Sequence, residues 1–214
     1  MIVVVDYGRG NIFSLSHALR KIGVDHVVSE KPEDVEAADM VILPGVGAFK
    51  DAAEGLRARG LFDPIRDYAL RNRPFLGICV GYQLLMSVGT EFGECDGLGV
   101  IPGVVRRLSD VVDTQPAGSM KIPNVGWRPV RPTSGAEGAG LWAGPLDPGE
   151  MMYFVHSFLP CPKESGDVHA AMTFNGVSVP VAVKRGNVMG VQFHPERSGP
   201  HGLKALAGLL GAHR

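Results

Sequence analysis

Cysteine is scarce in this 214-residue chain: Cys79, Cys95 and Cys161 are the full set, and none stands in CxxC spacing. Three thiols without paired spacing argue against a disulfide framework or a zinc site, and they suit a reducing compartment, the cytoplasm. An excess of one charge is missing too. Lys and Arg total 21 against 22 Asp and Glu, a formal net charge of −1, with the signs mixed along the chain. That balance gives no footing for nucleic acid or for an anionic membrane surface. No apolar run approaches the ~18 residues that a membrane-spanning helix needs. The opening MIVVVDYG is interrupted by Asp6 too soon for a signal peptide. Repeats and low-complexity tracts are absent.

What is present is an ordinary apolar fraction, 45%, enough for a substantial core. The length suggests one α/β domain over residues 1–214. IVVVD is a β-branched run. After it, Ile12, Leu15, Leu19 and Ile22 fall at helical spacing, with Asn11 as N-cap and Gly23 as stop. DHVVSE, ADMVILPG and RPFLGI read as further strands, LFDPIRDYALRN as a helix, and a helix is expected from about Val80. Strands and helices alternating over short connections predict a mostly parallel central sheet flanked by helices. Between Val100 and Val191 the pattern changes to short β-type runs with Gly- and Pro-rich turns, GVVRRL, VGWRPV, MMYFVHSF, VHAAMTF, PVAVKR and VMGVQF. These predict antiparallel hairpins added to the same sheet. Asp113–Ser119 reads as a mobile loop, and GLKALAGLLGA as a closing helix.

The stretch GICVG sets Cys79 between Gly77 and Gly81 at a strand-to-helix junction. It is the thiol counterpart of the G-x-S-x-G elbow, whose glycines make room for a strained nucleophile turn. Unpaired amides at the start of a helix, with the helix dipole, would favour thiolate. The competing reading is a packing cysteine among incidental glycines. A nucleophile needs a base and a group that orients it. His194 and Glu196 in QFHPE are two apart at a strand end, so at strand period they share a side. A zinc deaminase would need P-C-x-x-C further on, and PCPK does not provide it. In LPGVGAF, Val46 and Gly47 lie just past a strand where backbone N–H groups could face an oxyanion, with the amide of Val80 as the other donor. The dinucleotide-loop reading fails, because neither GVGAFK nor GRGNIF has the third glycine. From the residues alone, another thiol hydrolase on the same sheet stays open, as does a redox or binding module.

With Cys79, His194, Glu196 and the PGVG loop on this strand order, the chain resembles the class I (triad-type) glutamine amidotransferases from end to end, a flavodoxin-like fold. Within that group DYGRGN, PGVGAF, YFVHSF and QFHPERSG resemble the glutaminase subunits of imidazole glycerol phosphate synthases, in histidine biosynthesis. The resemblance implies that Cys79 is the nucleophile, with His194 and Glu196 completing a triad that hydrolyses glutamine to glutamate and ammonia through a thioester. It implies that Gln83 holds the substrate, and that His156, Ser157 and Phe158 bind its α-amino and α-carboxyl groups through their backbone. No cofactor or metal is expected. The implied partner is a (β/α)8-barrel cyclase in a heterodimer, which takes the ammonia to make imidazole glycerol phosphate and aminoimidazole carboxamide ribotide. Lacking a barrel of its own, the chain is expected to be slow alone and faster with the cyclase and its ligand. Tyr7, Arg9, Asn11, Asn124 and Trp127 are expected at that interface. The chain departs from the family pattern at Tyr82, near Asn124–Val125, at Arg128 and at Phe158, where Met, a His-Met pair, Asn and Tyr are usual.

Overall fold

The computed structural model describes residues 1–112, 121–136, 138, 140–143 and 146–211; the Asp113–Ser119 loop lies outside them. The first half runs β1 (Ile2–Val5), α1 (Ile12–Lys21), β2 (His26–Ser29), α2 (Pro32–Ala37) and β3 (Met40–Gly45). It continues through α3 (Phe49–Ala58), α4 (Phe62–Leu70), β4 (Phe75–Cys79) and α5 (Val80–Gln83). Then come β5 (Val88–Gly89), β6 (Cys95–Asp96), β7 (Gly103–Arg107), β8 (Asn124–Pro129), β9 (Arg131–Pro132), β10 (Met151–His156) and β11 (Phe158–Pro162). The chain closes with β12 (Val168–Phe174), β13 (Val177–Arg185), β14 (Val188–Val191) and α6 (Gly199–Gly211).

Among the described residues, eight strands form the main sheet in the order β2-β1-β3-β4-β14-β13-β12-β9. The pairs from β2 to β14 are parallel. Those from β14 to β9 are antiparallel. Every residue of β3 and β4 is buried, as continuous apolar strands covered on both faces should be. Helix α1 turns Leu15, Ala18 and Leu19 inward, and α3 turns Phe49, Ala52, Ala53 and Leu56 inward. The parallel strands β1, β3, β4 and β14 end on one edge, where open α/β sheets bind ligands.

The expected hairpins do not all join this sheet. β8 and β10 pair only with each other, as an antiparallel ribbon, while β11, β7, β5 and β6 make a separate four-stranded sheet. MMYFVHSF is split, because β10 ends at His156 and β11 begins at Phe158. The helix expected from Val80 is a single turn. Its continuation is stopped by tertiary bonds: the carbonyls of Leu84, Leu85 and Met86 accept the amides of Leu98, Ile101 and Gly99.

Candidate active site

At the end of β4, Cys79 adopts φ 56° and ψ −109°, a backbone state that costs a non-glycine residue about 1–3 kcal/mol. The glycines around it are steric requirements. A Cβ on Gly77 would lie 2.5 Å from the Gly81 carbonyl oxygen, and one on Gly81 only 1.8 Å from that of Leu43. The turn therefore closes only with glycine on both sides of Cys79. Since α5 is one turn long, little macrodipole stands behind the sulfur. Its polar neighbour is instead Gln192, buried at the end of β14, whose Nε2 lies 3.7 Å from Sγ.

His194 follows β14 in extended backbone, and Glu196 sits in a short 3-10 turn, Pro195–Arg197. The pair thus meets across the start of a turn, not along a strand as the spacing predicts. His194 Nδ1 is 2.9 Å from Glu196 Oε1, and both side chains are only 3% exposed. The carboxylate also accepts from Asn11 Nδ2 at 3.5 Å, which explains why Asn11 precedes α1 without capping it. Burial works against the imidazolium, but Cys79 and Glu196 outweigh it and raise the His194 pKa to about 10. Nε2 makes no hydrogen bond in the structure, and His194 and Cys79 border the same recess. A cysteine sulfur beside an imidazole fixed by a carboxylate is the arrangement that nucleophilic acyl transfer requires.

Cys79, Val80, Gln83, Val46, Gly47, His156, Ser157, Phe158 and His194 line one recess of about 400 Å³. All the expected catalytic, oxyanion and substrate residues except Glu196, which lies behind the imidazole, border this space. Within it the Val46 N–H is committed to the Arg9 carbonyl at 3.1 Å, so it is not free to serve an oxyanion in this conformation. Gly47, at φ +96°, lies beside it. Two charged wall residues escaped the sequence reading. Glu91 accepts the Phe49 amide at the start of α3, and Arg197 lies over the Tyr153 ring. Gln192 was legible at period two with His194; Glu91 gives no local signal.

The expected interface set divides. Tyr7 is buried, packed against Gly45 and Gly55 with its hydroxyl unpartnered, and cannot reach a partner. Asn124 is wholly buried, because alternation along β8 turns it inward. Arg9 is partly exposed and paired with Asp51. Trp127 is 43% exposed, edge-on to Tyr153, and Val125, Met151 and Val155 extend the same outward apolar face of the ribbon. That ribbon is stapled to the His194 segment. His194 N donates to the Tyr153 carbonyl, and Tyr153 N donates to Ser198 Oγ, which donates to the His194 carbonyl. Among the described residues no cluster of side chains is arranged to hold a metal, and no helix is long and apolar enough to cross a membrane.

The sequence profile of the glutamine amidotransferase class-I family matches residues 3–209, and the chain belongs to that family; it is a glutamine amidotransferase enzyme. The fold agrees. The crystal structure of a glutamine amidotransferase superposes with TM-score 0.70 at 20% identity, covering 99% of this chain and 100% of that one. PurLQS from Thermotoga maritima superposes with TM-score 0.69 at 21% identity, covering 100% and 98%. Closer in sequence is the imidazole glycerol phosphate synthase subunit HisH of Moorella thermoacetica, 44% identical over 96% of this chain and 91% of that one. The HisH subunit of Bacillus cytotoxicus is 40% identical over 99% and 94%.

Proposed function

We propose that this chain is a single-domain glutaminase subunit of an imidazole glycerol phosphate synthase, working in the cytoplasm, where its free cysteines stay reduced. The observation that carries the reading is the convergence of Cys79, His194 and Glu196 beside a recess sized for an amino acid. The Cys79 thiolate attacks the side-chain amide carbon of glutamine, and the carbonyl oxygen takes the negative charge. The amides of Gly47 and Val80 face that oxyanion, joined by Val46 once it leaves Arg9. His194 then gives its proton to the departing nitrogen, ammonia leaves, and a glutamyl thioester remains. Water loses a proton to His194 and attacks the thioester, releasing glutamate and restoring the thiolate. Glu196 keeps the imidazole in one orientation throughout.

The recess suits a zwitterion. The Glu91 carboxylate complements an α-ammonium, the Arg197 guanidinium an α-carboxylate, and the backbone from His156 to Phe158 supplies the remaining polar contacts. Ammonia passes to a (β/α)8-barrel cyclase seated on the Trp127 face, which uses it to form imidazole glycerol phosphate and aminoimidazole carboxamide ribotide. A glutamine-mimicking electrophile tests the site. One adduct on Cys79, blocked by glutamine and missing in Cys79→Ala, is expected. Labelling elsewhere, or labelling that glutamine does not slow, counts against it. Turnover measured with and without the barrel and its ligand tests the partner, and unchanged turnover rejects it.

A further inference from the structure

A run of directed hydrogen bonds leads from the ribbon to the recess floor. Arg128 Nε donates to Asn124 Oδ1 at 3.2 Å. Asn124 Nδ2 lies 2.9 Å from His156 Nε2, and His156 Nδ1 lies 2.9 Å from the Phe158 carbonyl. From the other side Gln83 Nε2 reaches the same carbonyl at 3.2 Å and Gln192 Oε1 at 3.2 Å. Gln192 then points its own Nε2 at the Cys79 sulfur. Asn124, His156, Gln83 and Gln192 are all buried.

The polarity of this run is set at its outer end. A guanidinium can only donate, so the Asn124 oxygen must face Arg128 and its NH2 must face His156. An imidazole nitrogen receiving that NH2 must carry a lone pair, which leaves the proton on Nδ1. Only that tautomer donates to the Phe158 carbonyl. With the proton on Nε2, two lone pairs would oppose each other at Nδ1, and the carbonyl shared with Gln83 would be pushed away.

We infer that Arg128 and Asn124 are positioning residues, which lock His156 in its Nδ1–H tautomer and so hold the Phe158 carbonyl and Gln83 in substrate-binding geometry. The depressed basicity of buried His156 agrees, since it keeps the ring neutral and able to accept at Nε2. The kinetic half of this inference rests on the glutaminase reading above; the tautomer half does not.

NMR of protein carrying isotope-labelled histidine reads the tautomer directly, and glutamine kinetics with the cyclase read its effect. Arg128→Met keeps the side chain's length and removes its donors. It is expected to shift His156 toward Nε2–H and to raise KM for glutamine about tenfold, with kcat within about threefold. Arg128→Lys, again a pure donor, is expected to restore both. An Arg128→Met protein that keeps the Nδ1–H ring, or whose KM moves without the tautomer, overturns the inference. Should that variant not fold, Asn124→Asp carries the test: it still pairs with Arg128 but offers His156 only an acceptor, so a proton is expected on Nε2. A bare Nε2 there overturns the inference equally. If the wild-type complex shows no glutamine turnover, the glutaminase reading falls, and the tautomer in these variants still decides the hydrogen-bond run.

Discussion

Two buried histidines within one recess carry opposite electrostatic assignments. For His156, burial dominates, aided by the charge of His194, and its pKa falls from 6.5 to about 4 although the Phe158 carbonyl pulls the other way. For His194, the thiol and Glu196 overcome burial, and its pKa rises from 6.5 to about 10. Linkage fixes the signs. Between pH 4 and 6.5 the unfolded chain protonates residue 156 while the folded one does not, so stability declines as the solution is acidified. The full depression is worth about 3 kcal/mol. Between pH 6.5 and 10 the folded chain keeps the residue 194 proton that the unfolded one loses, so stability declines as pH rises. Denaturant midpoints are therefore expected to peak near pH 6.5. His156→Gln should flatten the acid limb and His194→Gln the alkaline one; limbs unchanged in both variants would contradict these assignments.

At the scale of elements, the thiol turn is the least tolerant part of the molecule. Gly81→Ala drives a methyl into the Leu43 carbonyl, which is backbone of the neighbouring β3 and cannot swing aside. The expected cost is about 3 kcal/mol or more, read as a fall in melting temperature or as loss of soluble protein; an unaltered melting curve would refute the steric account. This turn was legible because its determinants are local, two glycines and a thiol within five residues. β3, β4 and α1 were legible for the same reason. Helix α3 had the right pattern, Phe49, Ala52, Ala53 and Leu56, but followed so closely on the PGVG loop that the sequence reading passed over it. Pairing was not legible in the second half. Nothing in GVVRRL or VGWRPV states which strand it will bond, because such partners are chosen by contacts distant in the chain. Tyr7 and Asn124 were misread similarly: residue type alone does not give the direction in which a side chain turns.

For the molecule as a whole, two faces matter to the proposed function, the sheet's carboxyl edge and the outer side of the β8–β10 ribbon. Trp127→Ala removes the largest exposed side chain of that ribbon. If the barrel docks there, a buried tryptophan anchor is worth about 2 kcal/mol or more, a dissociation constant weaker by about thirtyfold. Titration calorimetry against the cyclase measures it, with stability of the free subunit unchanged as the control; undiminished affinity would move the docking face elsewhere. The ribbon does not float beside the recess. Through Tyr153 it shares two hydrogen bonds with the segment bearing His194, and a third, from Ser198 Oγ to the His194 carbonyl, braces that segment. Imidazole and ribbon are consequently tied to each other. If a partner grips this ribbon, selection for a tighter grip is also selection on where a proton is delivered, and neither trait drifts without dragging the other.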